Sequence, residues 1–214
     1  KKFTQKIISS KVEDYAQRRN MLAENAQGEW LFYLDPDERI TDNCKKEILA
    51  AIQSNEHSAY YIPRENHILG KFLKHGGWYP DYVPRLFKKS EFLGWKGKVH
   101  ESPKFNGSAG YLKTPLVHKT ARDLKSMLDK SAKWAQIEAE LYYKENTPNV
   151  TIPKSIKFSL WEFIDRYFIK LGILDGRVGF IASLYQAIHR LMIMTYLWEL
   201  QNESQKSFQR IQKD

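Results

Sequence analysis

Ten consecutive residues, 29–38, constrain the fold of this chain more than any other stretch. Their apolar part, 30–34, runs without a break and contains three aromatic residues. Such a run is typical of a strand that is buried on both faces, as strands are inside a parallel sheet. Because Pro36 cannot continue a central strand, we expect the strand to end where three carboxylates follow within four positions.

Asp35 and Asp37 occupy the position at which a ligand is expected. In open α/β sheets, ligands bind outside the carboxyl ends of the strands. The carboxylates of an Asp-x-Asp pair are hard oxygen ligands that suit Mg²⁺ or Mn²⁺, and the cation in turn binds a diphosphate. The alternative is a structural turn that caps the next helix, because Asp-Pro-Asp also suits that conformation. Glu38 is expected to orient one of these groups or to cap the helix.

The charge of the chain favours anionic partners. The net charge is +9 and the sequence pI is about 9.4, which suits nucleic acid, an anionic membrane surface or phosphorylated substrates. The single cysteine, Cys44, excludes an internal disulfide and favours a reducing compartment. Residues 1–6 lack the apolar segment of a signal peptide, and no run of about twenty uncharged apolar residues is present. We therefore expect a cytoplasmic protein.

Amphipathic patterns predict the remaining elements. Apolar residues at helical spacing predict helices at 11–27, 43–54 and 121–144. Shorter apolar runs predict strands at 60–63, 82–87 and 116–118. The glycine-rich segment 66–78 is expected to form a loop or a hairpin.

The richest cluster of prolines and asparagines lies at 145–154 and predicts a linker. We therefore divide the chain into a partial catalytic domain at 1–144, a linker at 145–157 and a helical C-terminal module at 158–214.

Several short motifs, in this order along the chain, resemble those of family 2 glycosyltransferases. They include Leu-Asp-Pro-Asp-Glu at 34–38 and His-Gly-Gly-Trp-Tyr-Pro-Asp at 75–81. The others lie at 14–20, 28–30, 85–87, 99–101, 116–118 and 174–179. The subgroup that the chain resembles acts on bacterial lipopolysaccharide core and related surface glycans. The resemblance implies an α/β fold of the GT-A type, with a mixed sheet, followed by the helical module.

One part of the family pattern is missing. The family opens with a strand that precedes an Asn-Glu pair, a helix, and a second strand that ends in an Asp-Ser-x-Ser/Thr-Asp turn. Those pieces hold the nucleotide base and ribose, and this sequence lacks them. We expect an N-terminal truncation, with a partner chain that supplies the missing half as the alternative. The chain alone is therefore expected to show weak activity or none.

The resemblance assigns the donor side of the site. Asp37 becomes the metal ligand, and Asp35 binds the ribose or supports the metal. Arg19 and Asn20, on the helix before the metal strand, are candidates to bind the diphosphate, because arginine grips phosphate in a bidentate way. A solvated helix face is the alternative for this pair. His118 is a further candidate metal ligand, with a buried, hydrogen-bonded histidine as the alternative.

The acceptor side rests on five residues. Glu101 is our candidate base, since an inverting transfer must remove a proton from the acceptor hydroxyl, and Asp81 is the second choice. A salt bridge to a nearby lysine is the alternative for Glu101. Trp78 and Tyr79 are expected to stack on an acceptor sugar, with core packing as the alternative. Arg85 is assigned to the acceptor side, but a buried arginine within a strand also needs a partner, and the carboxylates of the site are candidates.

The predicted function is transfer of a sugar from a nucleotide-sugar donor to lipopolysaccharide core or a similar glycan, by inversion and with a metal. Residues 158–200 combine many apolar side chains with interspersed arginine and lysine, which suits peripheral contact with the inner face of the cytoplasmic membrane. Packing on the catalytic domain or a homodimer is the alternative. The other function classes are a basic nucleic-acid-binding protein and a non-catalytic membrane-associated scaffold. Nucleic acid is not expected, because the lysines are dispersed and the acids at 35–38 repel phosphate unless a metal is bound.

Overall fold

The computed structural model describes residues 6–12, 14–97, 101–121 and 123–211, with side chains described as far as residue 202. The chain divides into two compact units. The first comprises residues 1–64 and 82–117, and the second comprises residues 65–81 and 118–214. His100, in one of the sequence motifs, lies outside the described residues.

The described part of the chain contains five α-helices and nine strands, besides short 3₁₀ and π-helical segments. The helices are α1 (Tyr15–Asn25), α2 (Asp42–Ser54), α3 (Leu124–Lys144), α4 (Ile152–Ile164) and α5 (Gly176–Ile211). The first five strands are β1 (Trp30–Phe32), β2 (Glu38–Arg39), β3 (Ala59–Ile68), β4 (Lys71–Phe72) and β5 (Asp81–Lys88). The others are β6 (Phe92–Lys96), β7 (Ser102–Phe105), β8 (Ala109–Tyr111) and β9 (Leu116–Ala121).

The main sheet is mixed, which confirms the predicted fold class. Its strand order is β1-β5-β3-β9-β2, and β4 and β8 also pair with β3. The β1–β5 and β3–β4 pairs are antiparallel, whereas β3 and β8 run parallel. Strands β6 and β7 form a separate antiparallel pair. The sheet and the C-terminal helices are consistent with a GT-A-like fold.

The prediction of a central parallel strand at 30–34 was wrong. Strand β1 is three residues long, lies at the end of the strand order and pairs antiparallel with β5. Leu31 and Tyr33 are buried, but Leu34 is 43% exposed. Residues 30–34 therefore supply an edge strand with one buried face. Hydrophobic periodicity alone does not distinguish such a strand from a central one.

Two helices of the first unit cover hydrophobic cores that include residues of β1, β3 and β5. Asp14 caps α1 by accepting from the Gln17 amide, and Thr41 caps α2 by accepting from the Cys44 amide. The α2 core contains Cys44, Ile48, Ala51, Tyr60, Ile62, Leu86, Leu112 and Leu116. The α1 core contains Ala16, Ala23, Leu31, Tyr33, Ala59, Phe87 and Trp95. Helix α1 thereby stands beside the strand that leads into the acidic turn.

In the second unit, α5 packs against α3. Ala135 and Ala139 of α3 form a core with Val150, Ile193 and Leu197. Helix α4 begins at Ile152, so it starts inside the segment that the sequence assigns to a linker. The domain boundaries drawn from the sequence remain a prediction.

Cys44 is expected to resist thiol reagents in the folded protein. Its side chain is fully buried, and burial together with the charge of Glu47 raises its pKa to about 11. Little thiolate therefore forms in mildly alkaline buffer, and reagent cannot reach it. Titration with a chromogenic disulfide should register the thiol only after denaturant is added. Rapid reaction in native buffer would contradict this packing of α2.

Candidate active site

The acidic residues after β1 form a tight turn that is closed by two hydrogen bonds between Asp35 and Glu38. The Glu38 amide donates to the Asp35 carbonyl at 3.0 Å, and the Asp35 amide donates to Glu38 Oε2 at 3.0 Å. Glu38 is fully buried, whereas Asp35 and Asp37 are partly exposed. The turn thus uses one carboxylate as an internal support and presents the other two towards the surface.

Arg85, on β5, stabilises this turn through its guanidinium group. Its guanidinium donates to Glu38 Oε1 at 2.6 Å and to Asp35 Oδ2, and only 3% of the residue is exposed. The Tyr33 amide donates to the Arg85 carbonyl at 2.8 Å, which fixes the backbone beside the turn. A buried carboxylate is stable only when it is paired and hydrogen-bonded, so Arg85 allows Glu38 to be buried. The expectation that a buried Arg85 pairs with carboxylates of the site is confirmed.

Arg19 links Asp35 to Glu101. Its Nη2 lies 3.3 Å from Asp35 Oδ1 and 3.6 Å from Glu101 Oε1, and its guanidinium stacks 4.5 Å from the centroid of the Trp95 ring. The Tyr33 hydroxyl donates to the Arg19 carbonyl at 3.1 Å, and burial raises the pKa of that hydroxyl. The structure therefore brings a predicted donor-side carboxylate and the predicted base together around one guanidinium.

A cleft of about 360 Å³ lies between α1 and the edge of β1. Arg19 and Asp35 form polar parts of its wall, whereas Leu22, Ala26 and Trp30 contribute apolar surface. A mainly apolar cavity with a few polar groups is typical of a small-molecule site. Asp35 is thus the carboxylate of the turn that lines this cavity.

The acidic turn offers at most two partly exposed carboxylates, Asp35 and Asp37, to a divalent cation. Asp35 already accepts from Arg19 and Arg85, and Asp37 lies half-buried in the turn. In the described part of the chain, no group of three or more histidine, cysteine, aspartate or glutamate side chains is placed to hold a metal ion. Mg²⁺ commonly binds through one or two carboxylates, with water and phosphate oxygens completing its shell, and this turn can supply that number.

Asn66 organises the polar site residues of the second unit. It is 2% exposed, and its Nδ2 donates to the Trp78 carbonyl at 2.8 Å and to Asp81 Oδ2 at 3.0 Å. Its Oδ1 accepts from His118 Nδ1 at 2.6 Å and from Thr120 Oγ1 at 3.1 Å. His118 is thus buried and hydrogen-bonded through Nδ1. Asp81 and His118 therefore both form hydrogen bonds with the side-chain amide of Asn66.

Trp78 and Tyr79 follow a loop that is clamped to the helical segment. Asp175, which is buried, accepts from the His75 amide at 2.8 Å and lies 3.2 Å from His75 Nδ1. Arg166 donates to the Gly76 carbonyl at 3.0 Å and stacks 5.7 Å from the Trp78 ring centroid. Two separate sequence motifs, 75–81 and 174–179, therefore meet in this unit.

Comparison with known families decides the chemistry. Residues 4–109 match the family model described as Glycosyl transferase family 2. The chain carries a family 2 glycosyltransferase domain. The matched region includes the acidic turn, Arg85 and Glu101. The protein is a glycosyltransferase, and such a domain implies a nucleotide-sugar donor and an acceptor.

Two predicted site residues of this glycosyltransferase form hydrogen bonds or ion pairs within the protein itself. Both ends of the Asn20 amide bind the backbone of Trp95, since Nδ2 donates to its carbonyl at 3.0 Å and Oδ1 accepts from its amide at 2.7 Å. Arg85 is occupied by Asp35 and Glu38. The donor contact of Asn20 and the acceptor contact of Arg85 remain predictions.

Sequence reasoning missed Asn66, and it left the role of Glu38 open. Asn66 lies in a glycine-containing segment with no pattern that marks a buried amide. Glu38 offered a weak signal, because three carboxylates so close together require a cation, and a strand arginine was available. Neither residue belongs to the Asp-x-Asp pair, yet each holds candidate residues of the glycosyltransferase in place.

Proposed function

We propose that this glycosyltransferase moves a sugar from a nucleotide-sugar donor to lipopolysaccharide core or another bacterial surface glycan, with inversion at the anomeric carbon. The observation that carries the proposal is the acidic turn, fixed by Arg85 beside a cleft in a domain of this family. Because such acceptors are carried on lipids, we place the enzyme at the inner face of the cytoplasmic membrane.

The donor diphosphate is proposed to bind at the acidic turn. Asp37 would hold Mg²⁺ or Mn²⁺, with Asp35 as the second carboxylate, and the cation would neutralise the leaving diphosphate. Asp35 is kept in one orientation by Arg19 and Arg85. Such preorganisation places the charged groups before the reaction begins, so they need not rearrange while charge develops.

Glu101 is proposed to act as the base. Its carboxylate takes the proton of the acceptor hydroxyl while that oxygen attacks the anomeric carbon, and the bond to the diphosphate oxygen breaks with its electron pair. Arg19 contacts both Glu101 and Asp35, so the base is held beside the donor-side carboxylate. Asp81 is the second candidate, and Asn66 orients its carboxylate.

The acceptor is proposed to contact Trp78 and Tyr79 by stacking. Trp78 lines a cavity of about 210 Å³ together with Trp134 and Tyr185. Aromatic faces suit the apolar C–H face of a sugar, which supports the stacking proposal.

Replacement of Glu101 by Gln is expected to lower kcat about a hundredfold to ten-thousandfold, because the amide cannot accept the acceptor proton. The measurement is sugar release from a panel of UDP-, GDP- and ADP-sugars with Mn²⁺, using protein purified at its natural length. Donor affinity should stay unchanged. The matched control is Glu140→Gln, at an exposed position on α3. An unaltered kcat in Glu101→Gln, together with a large loss in Asp81→Asn, would transfer the role of base to Asp81.

A further inference from the structure

Helix α4 places its large apolar side chains outwards and its small polar ones inwards. Ser155 and Ser159 are 8% and 9% exposed, whereas Ile152 and Trp161 are 73% and 57% exposed. The exposed positions also include Ile156, Phe158 and Leu160. In a water-soluble helix the apolar stripe normally faces the core. The arrangement in α4 resembles helices in a lipid environment, where small residues form the helix contacts.

Helix α5 repeats this arrangement over its first six turns. Its buried residues here are mainly small, with Gly179, Ala182, Ser183 and Ala187 among them. Its exposed stripe contains Ile181, Leu184, Ile188, Leu191 and Trp198, which are spaced three, four or seven residues apart. That spacing places them on a single helix face.

The connection between the two helices is also apolar and exposed. Phe168, Ile169, Leu171, Ile173 and Leu174 are each at least 45% exposed. We call residues 168–174 the tip. The tip is anchored, because the Gly76 amide donates to the Lys170 carbonyl at 2.7 Å and Asp175 binds His75. Exposed apolar groups on an anchored turn mark an interaction surface.

The exposed residues of α4, the tip and α5 border one another. Near the tip, the Phe163 and Phe180 rings lie 5.6 Å apart. At the other end, a cavity of about 280 Å³ is lined by Ile152 and Ile156 of α4 and by Leu191 and Trp198 of α5. We call this combined surface the apolar face. Its exposed apolar side chains adjoin one another, whereas those on the surface of an ordinary soluble protein are scattered singly.

Exposed cations lie on both helices of the apolar face, while Glu162, Asp165 and Asp175 are paired or buried. Glu162 binds Arg166 at 2.6 Å, and Asp165 binds Lys170 at 2.6 Å. Asp175 is 4% exposed. In contrast, Lys154, Lys157 and Arg177 are exposed to solvent. Lysine and arginine near an anionic membrane surface add electrostatic attraction to the insertion of apolar side chains.

We infer that the apolar face docks into the interface of an anionic phospholipid bilayer, with the tip inserted among the headgroups. Within the described residues, none of the helices is both long enough and apolar enough to span a bilayer, so the contact is interfacial. The choice of a membrane rests on the proposed lipid-linked acceptor. A second copy is a weaker occupant, because a two-fold interface would set the positively charged patch of one chain against the same patch of the other.

Leu171 allows a test that separates membrane contact from folding. Its side chain is 50% exposed, and its backbone is left-handed, with φ at 58°. Asparagine tolerates that conformation better than leucine does. The variant Leu171→Asn should therefore fold at least as well as wild type but lose an inserted side chain. The matched control is Leu49→Asn, whose leucine is 48% exposed on α2.

The experiment is flotation of the natural-length protein with vesicles, without donor or acceptor. Wild type should float with phosphatidylglycerol vesicles and much less with neutral phosphatidylcholine vesicles. We expect Leu171→Asn to lower the partition coefficient about fivefold, and Leu49→Asn to leave it unchanged. Failure of wild type to float, or equal flotation of both variants and wild type, would overturn the inference. Sedimentation of a lipid-free dimer that Leu171→Asn dissociates would instead assign the face to a second copy.

Sugar release from the donor is measured in a separate assay without vesicles. A protein that releases sugar yet fails to float would contradict the membrane surface alone. A protein that floats but does not bind or turn over any nucleotide sugar would contradict the proposed transfer reaction alone.

Discussion

Replacement of Asp37 by Asn is expected to lower sugar transfer about a thousandfold, which corresponds to roughly 4 kcal/mol of transition-state stabilisation. The amide is close to the carboxylate in shape but lacks the charge that holds the metal beside the diphosphate. The free energy of unfolding should change little, because Asp37 lies half-buried in the turn and the buried support of that turn comes from Glu38. Initial rates over a range of Mn²⁺ concentrations measure the effect.

The matched control for Asp37→Asn is Asp42→Asn, at an exposed position of the first turn of α2. It removes the same charge five residues further along the chain and should keep near wild-type transfer. If Asp37→Asn kept more than about a tenth of the wild-type rate, a gap under 1.4 kcal/mol, Asp37 would not be the metal ligand.

Replacement of Arg85 by Met is expected to lower the free energy of unfolding by about 3–5 kcal/mol, because it leaves Glu38 as a buried charge without its main partner. Glu38 is fully buried and its carboxylate lies 2.6 Å from Arg85. Arg64, at 3.7 Å from the same carboxylate, compensates only in part. Urea denaturation of wild type and variant measures the loss.

Lys88→Met is the control on the same strand. Lys88 pairs with Asn55 at an exposed site, so its loss should change stability by no more than about 0.5 kcal/mol. The double variant Glu38→Gln with Arg85→Met should recover about 1–3 kcal/mol, since the buried charge is then removed as well. Additive losses in the double variant would show that the two side chains do not act as a pair.

The parts of the fold that the sequence predicted well are those with local signals. Helix α2 begins at Asp42 after the Thr41 cap and ends at Ser54, within one residue of the predicted 43–54. The strand predicted at 82–87 is observed as Asp81–Lys88, and segment 66–78 does contain the β3–β4 hairpin. Capping side chains and regular apolar spacing act over a few residues, so they can be read without knowing the neighbours.

Contacts between distant residues were much harder to predict. The edge position of β1 depends on which strands lie beside it, and residues 30–34 carry no information about that. The hydrogen bonds of Asn66 to Asp81 and His118 join residues 15 and 52 positions away. The pairing of Arg85 with the acids could be anticipated, because a buried arginine in a strand requires carboxylates, and the chain offers them at the turn.

The sequence allowed candidate site residues to be chosen by type, but it did not show which side chains hold them in place. The acidic pair, the base and a positively charged partner were chosen by residue type and by resemblance to the family. Their arrangement around Arg19 follows from α1 lying beside Trp95, a contact across 76 positions of sequence. The exposed apolar side chains of α4 were evident as composition, but only the structure showed that its serines face inwards.

Calorimetric titration of the natural-length protein with its nucleotide-sugar donor tests the central claim most directly. With Mn²⁺ present, wild type should bind the donor, and binding should disappear when the metal is chelated or when Asp37 is replaced by Asn. Donor binding of equal affinity without metal, or in Asp37→Asn with metal, would contradict a diphosphate site built on the acidic turn.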